Sequence, residues 1–461
     1  KYNAKCDPCP SGTQCTCPSG QVADGSGGCG VNSCDGYLTA NGYGAAKDMA
    51  SFKAALGSGV SEIGITAAFT VNEDVNLNGK KIYPASKYTG SPKCVAAGKP
   101  MLTIGKSVNL GNGRIENMNL TLSAIDSSVK FFTGGGTLKD TSISYVTDKW
   151  GYLFEVSGST VNLEGTNKIT LSTSADVNYG YTSFKGGSTL NISGPLTISG
   201  NPSLSFKFEE ASKLNVKSTG SVTYNAGGNF SVFEGNKGSH MTFDGPVNIS
   251  SNAGNPYYKD GHYIIFYMWN SGLSLNASGN VLKGRSIFKV SVDQNNTNNA
   301  FFNINGSTTI NATKSTDVSI FNIDHGNYYD PNKFIVNISA PLTVTGLSNY
   351  TGDGYGSDAS ILFKILDATV NINSTVTTNG GMIHNLRGTM NISSSGYING
   401  ISKYLIETSG KMGYTAGARI RLGGVCKKAT KTETKTGSSK TYYKMNATSA
   451  NNLGSPFTGG C

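Results

Sequence analysis

An apolar motif recurs through the middle of the chain, and its spacing constrains the fold more than any other feature of the sequence. Successive copies lie between 21 and 42 residues apart, and several intervals fall at 21 or 22 residues. Such a base period with variable insertions is typical of a solenoid, in which each repeat packs only against its neighbours. The central residues of the motif are Phe154, Phe184, Phe206, Phe233, Phe266, Phe288, Phe321, Phe363, His384 and Ile406.

Two further short strands follow each copy of the motif before the next copy begins. TVNLEG at 160–165 and TVNINS at 369–374 are second strands, and KITLS at 168–172 is a third strand. Apolar residues alternate with Thr, Ser and Asn, so one side of each strand faces a core and the other faces water. The sequence predicts an all-β fold: a single-stranded parallel β-helix with three strands per coil and coils about 4.8 Å apart.

The composition agrees with that fold. The chain has 60 glycines and only 14% charged residues, and Gly and Asn suit the tight corners between strands. A leucine-rich horseshoe is the alternative repeat fold. It requires an L-x-x-L-x-L-x-x-N pattern and a helical segment in each repeat, and the sequence has neither.

Residues 1–36 form a cysteine-rich module with almost no core-forming residues, so covalent or metal cross-links must hold it. Cys-x-x-Cys and Cys-x-Cys spacings are compatible with zinc, but interleaved Pro-Ser-Gly turns and the lack of nearby histidine favour disulfides. The Cys-Pro-x-Gly phrases resemble those of EGF-like and ephrin-receptor-like secreted modules. The odd total of nine cysteines leaves at least one for an intermolecular bond or a free thiol. The disulfide candidates are Cys6, Cys9, Cys15, Cys17, Cys29, Cys34, Cys94, Cys426 and Cys461.

Residues 37–100 are predicted to contain a capping helix at 45–57 and the first coils. Met49, Phe52, Ala55 and Leu56 would share one helical face, and Gly57 would end the helix. A short helix followed by I-x-I-x-x-x-F-x-V and V-x-L-x-G-K-x-I resembles the N-terminal segment of right-handed parallel β-helix proteins. Secreted pectin-degrading enzymes and bacterial surface adhesins share that segment. The resemblance implies the architecture of about residues 45–425, with 101–425 as the β-helix proper, and carries no active-site motif.

Residues 426–461 break the repeat and are predicted to form a β-hairpin cap, strand–TGSS–strand, with Cys426 and Cys461 placed to be joined. The cap region is basic: residues 411–461 carry nine Lys or Arg and one acid, out of a net charge of +10 for the whole chain. Because most of the net positive charge lies in this one segment, the sequence does not predict a nucleic-acid partner. Two interpretations stay open, a solvated edge that discourages strand pairing and a contact with an acidic envelope polymer or the next subunit.

The sequence predicts no catalytic, cofactor-binding or metal-binding residues. Adjacent acids occur at Glu73–Asp74 and Glu209–Glu210, and neither pair shows a basic partner at a repeat-matched position. His384 occupies a position of the apolar motif, which favours a stacked core histidine. A polysaccharide lyase or hydrolase is the less favoured alternative, with Glu209 or Glu210 as its first candidates.

Insertions after the first or third strand of a coil are rich in Tyr, Asn, Gly and Asp, the composition that binding loops favour. Either these tyrosines form a binding patch for a glycan or a neighbouring subunit, or they simply pack over the coil. The candidates are Tyr179, Tyr181, Tyr257, Tyr258, Tyr328, Tyr329, Tyr350 and Tyr355.

These features predict a secreted bacterial cell-surface protein, located outside the cell or on its surface. No signal peptide precedes Lys1, so we expect a mature chain from which the signal has been removed. No apolar run is long enough to predict a membrane span. We expect a structural subunit that self-associates end to end into a filament or surface layer. The alternative is an adhesin that displays the Tyr/Asn loops to a glycan or host protein.

Overall fold

The computed structural model describes a nearly all-β chain. The described residues are 21–23, 29–31, 43–87, 100–147, 151–172, 179–201, 203–227, 231–252, 264–291, 300–313, 318–324, 334–348, 360–401, 404–406, 410–422, 424–436, 443–444, 457 and 459–461. They divide into two compact units. The first comprises Lys1–Gly180 with Gly194–Leu196, and the second Tyr181–Ser193 with Thr197–Cys461.

The elements up to residue 172 include one α-helix and one short 3₁₀ helix, Ala85–Lys87. They are β1 (Gln21–Ala23), β2 (Cys29–Val31), β3 (Tyr43–Ala46), α1 (Met49–Gly57), β4 (Glu62–Ile65), β5 (Phe69–Val71), β6 (Val75–Asn76), β7 (Lys81–Pro84), β8 (Met101–Ile104), β9 (Val108–Asn109), β10 (Arg114–Glu116), β11 (Asn119–Ser123), β12 (Val129–Thr133), β13 (Gly136–Lys139), β14 (Ser142–Val146), β15 (Gly151–Ser157), β16 (Thr160–Glu164) and β17 (Asn167–Ser172).

The later described elements are all strands. They are β18 (Tyr179–Lys185), β19 (Thr189–Ile192), β20 (Pro195–Gly200), β21 (Ser203–Phe208), β22 (Lys213–Val216), β23 (Ser221–Gly227), β24 (Phe233–Asn236), β25 (His240–Phe243), β26 (Val247–Asn252), β27 (Ile264–Trp269), β28 (Gly272–Leu275), β29 (Asn280–Gly284), β30 (Ser286–Ser291), β31 (Ala300–Ile304), β32 (Thr308–Ala312), β33 (Val318–Asp324), β34 (Phe334–Ile338), β35 (Leu342–Thr345), β36 (Ser360–Leu366), β37 (Thr369–Ile372), β38 (Thr375–Thr378), β39 (Met382–Asn385), β40 (Thr389–Ile392), β41 (Tyr397–Ile401), β42 (Tyr404–Ile406), β43 (Lys411–Tyr414), β44 (Arg419–Leu422), β45 (Val425–Lys428), β46 (Glu433–Thr436), β47 (Tyr443–Lys444) and β48 (Gly459–Gly460).

Each coil contributes one strand to each of three parallel sheets, which confirms the predicted parallel β-helix. We number the sheets by strand position in the coil: sheet 1 takes the first strand, sheet 2 the second and sheet 3 the third. In the first unit, sheet 1 runs β6-β9-β12-β15, sheet 2 runs β3-β4-β7-β10-β13-β16, and sheet 3 runs β5-β8-β11-β14-β17. Alternate residues of these strands are buried, as the sequence pattern predicts.

The capping helix is shorter than predicted. Residues 45–46 belong to β3, and the helix α1 begins at Met49 because Asp48 caps it: the Asp48 carboxylate accepts a hydrogen bond from Ser51 N at 2.8 Å. Phe52 and Ala55 are buried, and the Phe52 ring lies 5.6 Å from that of Phe69 in β5. The helix therefore covers apolar residues of the first coils.

The second unit repeats the three-sheet arrangement. Sheet 1 runs β21-β24-β27-β30-β33-β36-β39, sheet 2 runs from β19 to β43 in steps of three, and sheet 3 runs from β23 to β44 in the same steps. Connections from sheet 2 to sheet 3 are only two to four residues long from β22 onward, whereas connections after the first or third strand reach 14 residues. Long insertions therefore occur at two of the three corners, as the sequence predicts.

A column of phenylalanine rings fills the core beneath sheet 1 of the second unit. Ring centroids lie between 4.7 and 5.6 Å apart, and the rings are nearly parallel. The predicted motif positions are confirmed where the rings stack: Phe206, Phe233, Phe266, Phe288, Phe321 and Phe363.

Three motif positions were predicted incorrectly. Phe184 stacks on Phe208, with centroids 5.0 Å apart, and not on Phe206. After Phe363 the register shifts, so Ile383 takes the stacked position and His384 aligns with Lys364. Ile406 lies in β42, which pairs with β47 and adds no strand to sheet 1. A local shift in register moves the stacked residue by one or two positions, and spacing alone does not show it.

The C-terminal cap differs from the predicted hairpin. The strands that flank Thr-Gly-Ser-Ser are β46 and β47, and they pair antiparallel with β43 and β42, respectively, rather than with each other. The hairpin lies earlier: β44 and β45 pair antiparallel, with Leu422 opposite Val425. After this hairpin the described strands return over the last coil in the reverse direction, and we call them the reversed coil (β45, β46 and β47).

Candidate functional site

Five side chains project from the outer face of sheet 3 where it meets the cap. We call them the cap cluster: Tyr397, Asn399, Arg419, Arg421 and Lys428. Tyr397 and Asn399 lie directly beside Arg419 and Arg421 on the next strand, and Lys428 lies opposite Arg419 on the reversed strand. Alternation explains the shared face, because the intervening Ile398 and Ile420 point inward and are fully buried.

Tyr397 holds both guanidinium groups of the cap cluster in place. The Arg419 guanidinium carbon lies 4.6 Å from the centroid of the Tyr397 ring, a cation–π contact. Arg421 Nε donates to Tyr397 Oη at 3.1 Å, and that hydroxyl is 3.2 Å from Asn399 Oδ1. A disulfide between Cys426 and Cys461, with Cα atoms 5.5 Å apart, fixes the neighbouring strand to the end of the chain.

The cap cluster carries positive charge without a described counter-charge. Arg419 and Lys428 are direct cross-strand partners, and like charges in that arrangement destabilise a sheet. The one acid among residues 411–461 is Glu433, whose carboxylate is 3.3 Å from Lys431 Nζ. No carboxylate of the described residues forms an ion pair with Arg419, Arg421 or Lys428. An anion bound here would therefore relieve repulsion that the folded chain retains.

A column of uncharged polar side chains leads along sheet 3 to the cap cluster. Thr309, Thr343 and Thr377 lie in register on consecutive strands, and Thr377 lies beside Asn399. All of them are half-buried or exposed. Because adjacent strands are about 4.8 Å apart, the column offers hydroxyl groups at that interval. The first unit carries a similar column on its own sheet 3, formed by Thr70, Thr103, Thr121, Ser144 and Thr170.

Sheet 2 of the second unit carries an asparagine ladder on its outer face. Each side-chain amide donates to the carbonyl oxygen of the preceding asparagine at 2.8 to 2.9 Å, and the last amide donates to Ser274 Oγ at 3.3 Å. These amides bind one another, so the ladder ties successive coils together. Its members are Asn391, Asn371, Asn337 and Asn303.

The adjacent acids of the catalytic alternative are paired with lysines. Glu209 Oε1 is 3.1 Å from Lys207 Nζ, and Glu210 Oε1 is 3.6 Å from Lys237 Nζ. Lys237 sits one coil further on, since Ala211 N donates to its carbonyl oxygen. The prediction that this acidic pair lacks a repeat-matched basic partner is therefore wrong. The spacing in the sequence does not show that Glu210 aligns with Lys237, because the coils differ in length.

The other predicted acids also have partners. Glu73 Oε2 is 2.6 Å from Lys53 Nζ, and Asp74 accepts a hydrogen bond from Ser107 N at 3.0 Å. These contacts join the helix α1 and the β8–β9 connection to the first coils. They account for both acids structurally.

The first unit contains a charged cluster that the sequence analysis did not identify. Arg114 bridges two carboxylates: its Nε is 2.8 Å from Glu116 and its terminal nitrogen is 2.9 Å from Glu164. Partial burial opposes ionisation of Glu116, but hydrogen bonds from Arg114 and Lys81 outweigh it and lower the Glu116 pKa. Arg114 and Glu116 share β10, but Glu164 lies two strands further on in β16, so its place in the cluster was detectable only once the register was known.

Burial lowers the pKa of both described histidines. Burial, with a smaller contribution from Lys364, lowers the pKa of His384 to about 4. Burial and Lys213 also lower the pKa of His240, whose ring lies edge-on to Phe301 with centroids 5.3 Å apart. His262 and His325 lie outside the described residues. Among those described, no group of three or more His, Cys, Asp and Glu side chains could hold a metal ion.

Most of the predicted loop tyrosines and cysteines lie outside the described residues. Tyr181 is half-buried in β18, and the backbone of Tyr179 begins that strand. Cys29 begins β2, opposite Ala23 of β1. The residues outside the described ranges are Tyr257, Tyr258, Tyr328, Tyr329, Tyr350, Tyr355, Cys6, Cys9, Cys15, Cys17, Cys34 and Cys94.

Sequence reasoning missed the cap cluster, although a signal was present. Tyr-x-Asn at 397–399 and Arg-x-Arg at 419–421 alternate with isoleucine, as outward residues of strands do. The sequence does not separate them from the rest of the basic region, because composition alone does not show which residues share a face. The alignment that brings them together depends on the length of one coil.

Comparison with known proteins does not assign this chain to a family. No protein-family model matches this chain, and neither the curated proteins nor the solved structures contain a detectable relative. Within the described part of the chain, no helix is long and apolar enough to cross a membrane.

Proposed function

We propose that the chain is a secreted bacterial cell-surface structural protein, a subunit that self-associates end to end into an extracellular filament or surface layer. The observation that supports this most is the continuity of bonding between coils. Within each unit, parallel strands join each coil to the next in three sheets. In the second unit, a phenylalanine column and an asparagine ladder add two further lines of contact. A subunit that transmits force requires such repeated cross-coil bonding.

The cap determines how such subunits would meet. At the C-terminal end, sheet 2 finishes in β46, which reads Glu-Thr-Lys-Thr, and sheet 3 finishes in β48, which is only two glycines long. Very short edge strands are poor templates for adding another strand, and charged side chains such as those of β46 weaken the template further. We therefore propose contacts through side chains of the end segments, rather than continuation of the sheets from one subunit to the next.

Cysteines provide a second means of association. With Cys426 bonded to Cys461, seven of the nine cysteines remain, and seven cannot all pair within these 461 residues. A disulfide between subunits would use the remaining one. In an oxidising extracellular environment such a bond would persist.

Electron microscopy of the non-reduced protein at micromolar concentration tests the proposal. We expect filaments or sheets with a regular repeat, together with a high apparent mass in light scattering. Reduction should shorten the assemblies if disulfides link them. The double variant C426S/C461S controls for loss of the cap disulfide during reduction. A monodisperse monomer before and after reduction would refute self-association.

The adhesin alternative stays a prediction for the Tyr/Asn loops, since nearly all of those tyrosines lie outside the described residues. The enzyme alternative also stays a prediction. Cleavage of a polysaccharide that is lost in Glu209→Gln or Glu210→Gln would favour it over the structural proposal.

A further inference from the structure

We propose that the cap cluster binds a carboxylate-bearing polysaccharide on the outer face of sheet 3. The guanidinium groups of Arg419 and Arg421 and the ammonium group of Lys428 would bind the carboxylates. The neutral column that ends at Asn399 would hydrogen-bond the sugar hydroxyls. This inference rests on the extracellular location in the proposed function, but it requires no self-association.

The case for an anion begins with the uncompensated charge. The pairing of β44 with β45 places Arg419 beside Lys428. The side chain that holds both arginines in position is Tyr397, and not a carboxylate. A positioned guanidinium binds a carboxylate through two parallel hydrogen bonds, and an arginine that is already held loses little conformational freedom on binding. The hairpin between β44 and β45 and the Cys426–Cys461 bond fix the cluster further.

The case for a sugar polymer comes from the surface beside the charges. Thr377, Thr343 and Thr309 continue the face without any charge, one residue per coil. The step of about 4.8 Å between coils is similar to the length of one hexose in an extended chain, so successive sugars could meet successive hydroxyls. The residues outside 411–461 carry little net charge, and a duplex nucleic acid would require a broader basic surface.

Binding of alginate fragments, measured by isothermal titration calorimetry, tests the inference. We expect alginate to bind with an affinity that falls as salt rises, and neutral dextran not to bind. Arg419→Gln and Arg421→Gln should each weaken binding about tenfold. Lys283→Gln is the matched control, since it removes an exposed lysine from the same sheet face, away from the cluster. That variant should bind as the unmodified chain does.

The melting temperature of each variant distinguishes a loss of alginate binding from a loss of folding. Arg419→Gln removes one member of a like-charge pair, so we expect its melting temperature to equal or exceed that of the unmodified chain while its alginate binding is about tenfold weaker. Equal binding of alginate by the Arg419, Arg421 and Lys283 variants would overturn the inference. Equal affinity for DNA, dextran sulfate and alginate would overturn it too, because it would indicate a general polyanion surface. Alginate binding and filament formation are separate measurements, so either can fail alone.

Discussion

The stacked phenylalanines are the residues on which the interior of the second unit depends most. Phe266 touches rings on both sides, with centroids 5.6 Å from Phe233 and 5.4 Å from Phe288, and it is fully buried. Removing one ring leaves a cavity that neighbours in two coils line, and the sheets limit how far they can close it.

Phe266→Ala should therefore destabilise the protein by about 3 to 5 kcal/mol. The shift in the urea midpoint checks this, read by circular dichroism. Trp269→Ala on the same strand is the control: its side chain is 39% exposed, and we expect a change within about 0.5 kcal/mol. Similar losses in both variants would show that the column is not a principal source of stability.

His384 should make stability depend on pH. Burial lowers its folded pKa to about 4, below the ordinary value of 6.5, so the folded chain favours neutral imidazole. As pH falls, the His384 imidazole therefore binds a proton in the unfolded chain at a higher pH than in the folded chain. Stability that is complete above about pH 6.5 should therefore decline as pH falls toward 4.

Urea midpoints measured from pH 7.5 to 4 check this dependence. In His384→Leu the decline should be smaller, by a few kcal/mol at most. Only the slope of stability against pH enters the comparison, so a general loss of stability in the variant does not obscure it. An unchanged slope would mean that His384 titrates normally in the folded chain.

At the scale of single elements, the asparagine ladder makes a distinct prediction. Asn337 donates to Asn303 at 2.9 Å and accepts from Asn371 at 2.8 Å. Asn337→Ala removes both bonds and should cost about 1 to 2 kcal/mol. Thr343→Ala, an exposed polar residue on sheet 3, should change stability by less than about 0.5 kcal/mol.

A double-mutant cycle between Asn337 and Asn371 isolates the shared amide bond. We expect a favourable coupling of about 0.5 to 1 kcal/mol, read from denaturation midpoints. Additive effects would indicate that water replaces the ladder bonds without loss.

The elements also show what sequence can and cannot predict in this fold. Alternation in strands such as β16 and β37 predicted the three-strand coil, because inward and outward residues differ strongly in hydropathy. Gly and Asn were expected at the corners, and the Asn-Gly pair at 78–79 forms one, with positive φ at both residues. The chain reversal at β44–β45 was misplaced, because strand composition does not encode whether neighbours run parallel or antiparallel. The cap cluster and the Lys237 partner of Glu210 required the register, which depends on insertion length.

At the scale of the whole molecule, the repeat should tolerate the removal of a complete coil. Thr369 and Thr389 occupy equivalent positions on adjacent coils, 20 residues apart. Deletion of 369–388 therefore joins matching positions and keeps every later strand in phase. Since each repeat packs chiefly against its neighbours, the shortened chain should still fold.

Circular dichroism and thermal unfolding check this deletion. We expect the same β-type spectrum and a cooperative transition at a similar or slightly lower temperature. Deletion of 369–378 is the control, since it removes half a coil and places later strands on the wrong sheets. Folding of both deletions, or of neither, would contradict the modular description.

The reversed coil has a consequence for how such a chain evolves. In β45, β46 and β47 the polypeptide turns back on its own last turn, and Cys426–Cys461 secures that return. A new repeat added after the reversed coil would meet strands of the wrong direction. Longer descendants would therefore arise by duplication within the interior repeats, and the reversed coil would be inherited intact, together with the charged surface that it presents.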